Sequence, residues 1–166
     1  MLKLRFTCFF LAATILVVLI ASAQTKPEEG PRSKLSMFVG TWTVKGSEST
    51  YRETCEWLTP GSFVVCRAED TNPKERDVSL SILGYSPEEQ AYTYANFDGS
   101  GSSRTLRAWV HGEKWVFTGG RERPGKSLRW QVTITPNPKG FHFREEVSEN
   151  GAPWTTNFET QYIRLK

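Results

Sequence analysis

From Gly40 onward, apolar and polar residues alternate with a period of two in one run after another. The clearest run places Leu128, Trp130, Val132 and Ile134 on one side and Arg129, Gln131 and Thr133 on the other. This is the pattern of a strand with one buried and one wet face. Val78, Leu80 and Ile82 alternate with Asp77, Ser79 and Ser81, and Leu106, Ala108 and Val110 alternate with Arg107, Trp109 and His111. In both runs the apolar set is expected to face inward. Turn signals punctuate the pattern at Pro60-Gly61, Asn72-Pro73, Ser86-Pro87, Asp98-Gly99, His111-Gly112, Pro124-Gly125, Asn137-Pro138 and Asn150-Gly151. Together they predict ten strands, at about 41–48, 50–58, 62–70, 77–85, 90–97, 103–110, 114–121, 127–135, 141–148 and 154–164. One stretch has a helical period instead. Leu35, Phe38 and Val39 stand at i, i+3 and i+4, with Ser33 as the expected cap and Gly40 at the close. So short a helix must pack on something to persist.

Sequential short strands with tight connections and no crossover helix specify an antiparallel meander. Left open, such a sheet exposes two edges and an apolar face. Closing it removes both liabilities, so the expected fold is all-β, an up-and-down β-barrel with the short helix over one open end. A two-sheet sandwich fits the same strand pattern and stands as the alternative.

The first residues follow another rule. Lys3 and Arg5 precede an apolar run over residues 7–20, which ends in the small residues Ala21-Ser22-Ala23. This is the layout of a secretory signal peptide cleaved between Ala23 and Gln24, with an apolar core too short for a transmembrane helix. Residues 24–31 are polar, with two prolines and a glycine, and read as a flexible lead-in. Residues 32–166 then form a single barrel domain. No second apolar run is long enough to span a membrane. The expected location is the periplasm or the medium, and no lipobox cysteine follows the apolar run to anchor the chain. The leader takes with it two bases and no acid, which lowers the formal charge of +3 by two. A nucleic-acid partner held by bulk charge is therefore not expected. Nothing in the pattern sets an oligomeric state.

Cys8 lies in the leader, which leaves Cys55 and Cys66. An even pair in an exported chain points to a disulfide. The two cysteines are placed symmetrically about Pro60-Gly61. In a hairpin turning there they face each other, close enough to bridge. They lack Cys-x-x-Cys spacing, so redox catalysis is not the expectation.

Candidate catalytic groups are sparse. His142 alternates with Phe141 and Phe143 and faces water if the rings face in, while His111 precedes a turn glycine. No His, Cys, Asp and Glu cluster has metal-ligand spacing, so no metal site is expected. The Gly99-Ser100-Gly101-Ser102 segment lacks a nucleophile elbow and a following helix, so it reads as a hairpin turn after Asp98. Glu145 and Glu146 are adjacent on a strand and point to opposite faces. No catalytic residue and no cofactor is predicted. Arg107 and Arg129 are expected to point outward into solvent.

Gly40-Thr41-Trp42, Gly84-Tyr85-Ser86-Pro87, the run from Tyr92 to Gly101 and the ending from Glu146 through Trp154 to Arg164 together resemble the bacterial DUF1579 family. The likeness spans nearly the whole mature chain. It implies a calycin-like barrel and lends no reaction. By analogy the functional relatives are lipocalins, fatty-acid-binding proteins and nitrobindins. The last ligate heme through a late histidine, and residues 154–166 contain none.

What the composition adds is an aromatic surplus, with all six tryptophans and all five tyrosines lying beyond the leader. Such side chains pair broad apolar area with one polar handle and suit the walls of small-molecule pockets. They can equally fill a barrel solid. The leading expectation is a non-enzymatic, exported protein that holds a small, mostly apolar ligand among Trp42, Tyr92, Tyr94, Trp109, Trp115 and Trp130. A lipocalin-like enzyme without a conspicuous motif, and a filled-barrel envelope protein that meets a protein partner, are the alternatives.

Overall fold

The computed structural model of the chain describes residues 30–74 and 76–165. The predicted signal peptide, its Ala23/Gln24 cleavage site and the lead-in up to residue 29 lie outside the described residues. The strands are β1 (Gly40–Val44), β2 (Tyr51–Thr59), β3 (Phe63–Asp70), β4 (Asp77–Ser86), β5 (Ala91–Asp98), β6 (Ser103–His111), β7 (Lys114–Arg123), β8 (Lys126–Asn137), β9 (Gly140–Glu149) and β10 (Thr155–Arg164). Each pairs antiparallel with the next, and β10 returns to β1. The sheet is thus a closed up-and-down barrel without a free edge, and the sandwich alternative falls away. No described helix is long and apolar enough to cross a membrane.

The predicted strand bounds hold within a few residues except at the first. β1 stops at Val44 because the Ser47 amide donates back to the Val44 carbonyl at 2.9 Å and Gly46 turns the chain with φ +88°. The helix also differs from expectation. Residues Pro31–Phe38 form a 3₁₀ helix with Gly30 in the N-cap position just before it, and Ser33 lies inside it, its hydroxyl donating to the Gly30 carbonyl at 2.8 Å. Pro31 at the start needs no amide partner there. Three residues per turn bring Leu35 and Phe38 onto one line, both buried, while Val39 leaves the helix extended.

Two hydrogen bonds seat this helix over one end of the barrel. Trp42 Nε1 donates to the Phe38 carbonyl at 2.7 Å, and the Tyr92 hydroxyl donates to the Pro31 carbonyl at 2.7 Å. Beside them, Gly40 has φ +138°, and a Cβ there would stand 2.7 Å from Nη1 of Arg164. Only glycine fits both the backbone angle and the space. The Arg164 guanidinium lies 4.3 Å from the Trp42 ring centroid and donates to the Met37 carbonyl at 3.2 Å, clasping helix, β1 and β10 where the barrel closes.

The β2–β3 hairpin has the predicted register. Cys55 faces Cys66, and the two form a disulfide whose Cα atoms are 4.0 Å apart. An irregularity between Trp57 and Thr59 offsets the pairing before the Pro60-Gly61 turn. Both cysteines are buried inside the barrel. Directly opposed residues share a face, so the row continues inward through Ser81, Asn96 and Arg104.

That row overturns one expectation. In β4 the inner face is Ser81, Leu83 and Tyr85, while Val78, Leu80 and Ile82 lie outside, Val78 being 53% exposed. The cause is register: Ser81 is tied to Cys66, and the disulfide holds Cys66 inside. In β6 and β8 the apolar sets face inward as predicted, with Leu106, Ala108, Val132 and Ile134 all buried.

Candidate functional site

The barrel interior has two unlike ends. Beneath the helix, rings pack tightly against one another: Phe38 meets Trp115 at a centroid distance of 5.0 Å, Tyr92 meets Trp115 at 4.5 Å, and Trp42 meets Phe141 at 4.9 Å. Trp115 is only 2% exposed. Farther along the same strands, away from the helix, the inward positions turn polar. Tyr94 and Asn96 follow Tyr92 on β5, Arg104 follows Ala108 and Leu106 on β6, and Glu145 follows Phe141 and Phe143 on β9.

A void lies between these ends. It measures about 60 Å³ when traced by the centres of water-sized spheres. At roughly 10–15 Å³ for one water on that measure, it has room for about four to six. Phe38, Trp42, Phe117, Phe141 and Phe143 supply its apolar wall. Glu53, Ser81, Tyr94, Arg104 and Tyr162 supply polar groups, and the Cys55–Cys66 disulfide lies on the same surface.

The charges in this chamber are unequally matched. Arg104 pairs with Glu145 at 2.5 Å, and Asn157 Nδ2 donates to the other carboxylate oxygen at 2.7 Å. Glu53 has no such counter-charge among the described residues; its partner is the Tyr51 hydroxyl, donating at 3.3 Å. Tyr162 is left to donate to the Tyr51 oxygen, 3.2 Å away. Burial raises the Glu53 pKa to about 7, against a smaller lowering by the Tyr51 hydrogen bond. Glu53 retains some surface because it faces the void, but the barrel wall surrounds it. Burial likewise pushes the Tyr51, Tyr94 and Tyr162 hydroxyls upward, so all three stay neutral donors. Tyr94 and Asn96 both meet the Ser81 hydroxyl, at 3.1 and 3.0 Å.

One carboxylate oxygen of Glu53 and the two sulfurs of Cys55 and Cys66 lie within 4.8 Å of one another. The sulfurs are bonded to each other, so the trio offers no thiolate to an ion. His111 is exposed at a strand end, and His142 lies on the outer face, 3.0 Å from Glu159. Asp98 folds its turn as expected: its carboxylate accepts from the Ser100 and Ser102 amides at 3.0 Å each and from the Ser100 hydroxyl, which holds its pKa down. Arg107 and Arg129 point outward, and Glu145 and Glu146 face opposite ways, Glu146 meeting Arg144 at 2.8 Å on the outside.

Of the aromatic residues expected around a ligand, Trp42 and Tyr94 line the void. Tyr92 and Trp115 face inward but are locked in the packing beneath the helix. Trp130 is half-buried, 6.0 Å below the Arg121 guanidinium, and Trp109 stands on the outer face, 44% exposed. Trp109 alternates with the buried Ala108, so it could face nowhere else. The sequence reading missed Glu53, Arg104 and Tyr162. Glu53 was within reach, since it stands two residues before Cys55 and must share the face on which the disulfide lies.

The outer wall also carries a broader hollow, lined by Val78, Leu80 and Phe97 between Arg52 and Arg67. It is larger than the inner void but lies open to solvent. The chain matches no family model, and a search of curated proteins finds no match to it.

Proposed function

We propose that the chain is an exported protein that binds a small ligand inside its barrel, in keeping with the resemblance to the calycin-like DUF1579 barrels. The observation that carries this reading is the interior void, lined by apolar rings and by a carboxyl with no counter-charge among the described residues. A protein that needed only stability would do better to fill that space with carbon, because a void and a buried acid both cost free energy. The size of the void limits the ligand to a few heavy atoms unless the wall moves. The buried disulfide suits an oxidising compartment, which supports export.

Native mass spectrometry of protein purified from its own source tests the reading directly. The expected result is a mass excess that disappears on denaturation. A bare native mass, together with unchanged tryptophan fluorescence across a library of small compounds, would overturn it, because Trp42 lines the void and must sense an occupant.

A catalytic reading draws on one observation, that Glu53 titrates near neutrality beside a tyrosine hydroxyl. Such a group can give or take a proton at working pH. Chemical conversion of the retained ligand by the protein, lost in Glu53→Gln, would favour it over simple binding.

A further inference from the structure

We infer that the ligand class is a small primary amine, bound as its ammonium ion with Glu53 as counter-ion and the tyrosine and phenylalanine rings around it. This rests on the binding reading above and gives it a charge. Three features of the chamber lead there.

First, among the described residues around the void, Glu53, Arg104 and Glu145, the charge balance is negative by one once Glu53 ionises. Arg104 is already matched by Glu145, with Asn157 holding the second carboxylate oxygen, so Arg104 neither compensates Glu53 nor seeks an anionic ligand. The titratable groups that face Glu53 are Tyr51 on its own strand, Tyr94 on β5 and Tyr162 on β10, with the Arg104–Glu145 pair of β6 and β9 standing near Tyr94. The inward residues on β3 and β4, Cys66 and Ser81, carry no charge. None of the neighbours supplies a free cation.

Second, an ammonium ion has three N–H donors, and the Glu53 carboxylate and the Ser81 and Tyr94 hydroxyls, from three strands, all line the void. Ser81 accepts from Asn96, and with its own hydrogen on Tyr94 each of the two hydroxyl oxygens keeps one free lone pair. Third, Trp42, the cross-strand partner of Glu53, and Phe117, Phe141 and Phe143 also line the void. Such a wall suits a short hydrocarbon tail, and aromatic faces attract a cation. An anion would meet the Glu53 carboxylate, and a neutral polar ligand would leave an ionised Glu53 without a partner.

The pH dependence follows with a definite sign. Burial places the Glu53 pKa near 7, so below that value the carboxyl is mostly protonated and must lose its proton to receive an ammonium ion. Affinity for the amine should therefore rise about tenfold from pH 6 to pH 8, with nearly one proton released per ligand bound at pH 6 and few at pH 8.

Calorimetry on the mature chain with n-butylamine, butan-1-ol and butanoate, at both pH values and in buffers of different ionisation enthalpy, separates the possibilities. The expected result is an amine preference of at least tenfold over the alcohol at pH 8, no butanoate binding, and the stated proton release at pH 6. In Glu53→Gln, with its fold checked by circular dichroism, the amine preference and the proton release should both vanish. Equal binding of amine and alcohol, or amine binding without pH dependence, would overturn the amine assignment and leave the binding reading intact. If none of the three binds and no retained ligand is found, both fall. Should the variant fail to fold, proton release by the unaltered protein decides the matter alone.

Discussion

The two ends of the barrel interior are built from the same ten strands and differ in almost every physical respect. Under the 3₁₀ helix, Phe38, Trp115, Tyr92 and Phe141 interlock with hardly any exposed surface, and the polar atoms of Trp42 and Tyr92 are spent on holding the helix. At the other end, Glu53, Asn96, Arg104 and Glu145 occupy inward positions that carbon could fill, and a void separates the halves. The contrast separates two kinds of packing along one axis. The capped end buries rings against one another, and the polar end keeps a void and buried charges at some cost in stability.

The largest test removes the plug. Trp115→Ala should destabilise the fold by about 3–5 kcal/mol, the range for deleting a fully buried aromatic ring. Denaturant unfolding measures it, and a loss below about 1 kcal/mol would show that the capped end is not the stabilising half. Next comes the disulfide that joins β2 to β3. Reducing Cys55–Cys66, or replacing both residues by alanine, should cost about 3 kcal/mol for a loop of this length. Alkylation of the unreduced protein followed by intact mass should label neither cysteine.

Glu53→Gln probes the polar end and should act with the opposite sign. Because the folded pKa of Glu53 is raised, its neutral form favours the fold at low pH, and stability is lost as pH rises from about 4.5 through about 7. The glutamine variant should match the parent near pH 4.5 and exceed it by about 3 kcal/mol at pH 8. A variant less stable than the parent at pH 8 would mean that the ionised carboxylate has a partner the structure does not reveal. The smallest effect belongs to the outer wall: Trp109→Ser should change stability by less than about 0.5 kcal/mol and leave ligand binding untouched.

Much of this was legible in the chain. The turn dipeptides at Pro60-Gly61, Pro124-Gly125 and Asn150-Gly151 delimit strands close to where the structure has them, and symmetry about one turn was enough to pair Cys55 with Cys66. The first strand's end was misread because Gly46 acts there through a left-handed backbone, which side-chain patterning does not report, and the helix's start because the 3₁₀ turn begins at Pro31 without a side-chain cap. The site was harder. The aromatic surplus pointed to the interior in general, but Trp109 faces outward and Trp115 is packed away, while the void is also lined by an acid, Glu53.

By itself, then, the sequence determined the strands, their order, the antiparallel meander and the disulfide register, because each depends on neighbours within one hairpin. Tertiary structure decided closure, the inward turn of Ser81 in place of Leu80 and Ile82, and the meeting of Tyr51, Glu53 and Tyr162 across 111 positions of chain. The physical reason is that alternation gives a strand two faces without saying which is inner when both carry apolar residues. Only the ladder of pairings around the closed barrel, pinned at the buried disulfide, settles that choice and with it the inward place of Glu53.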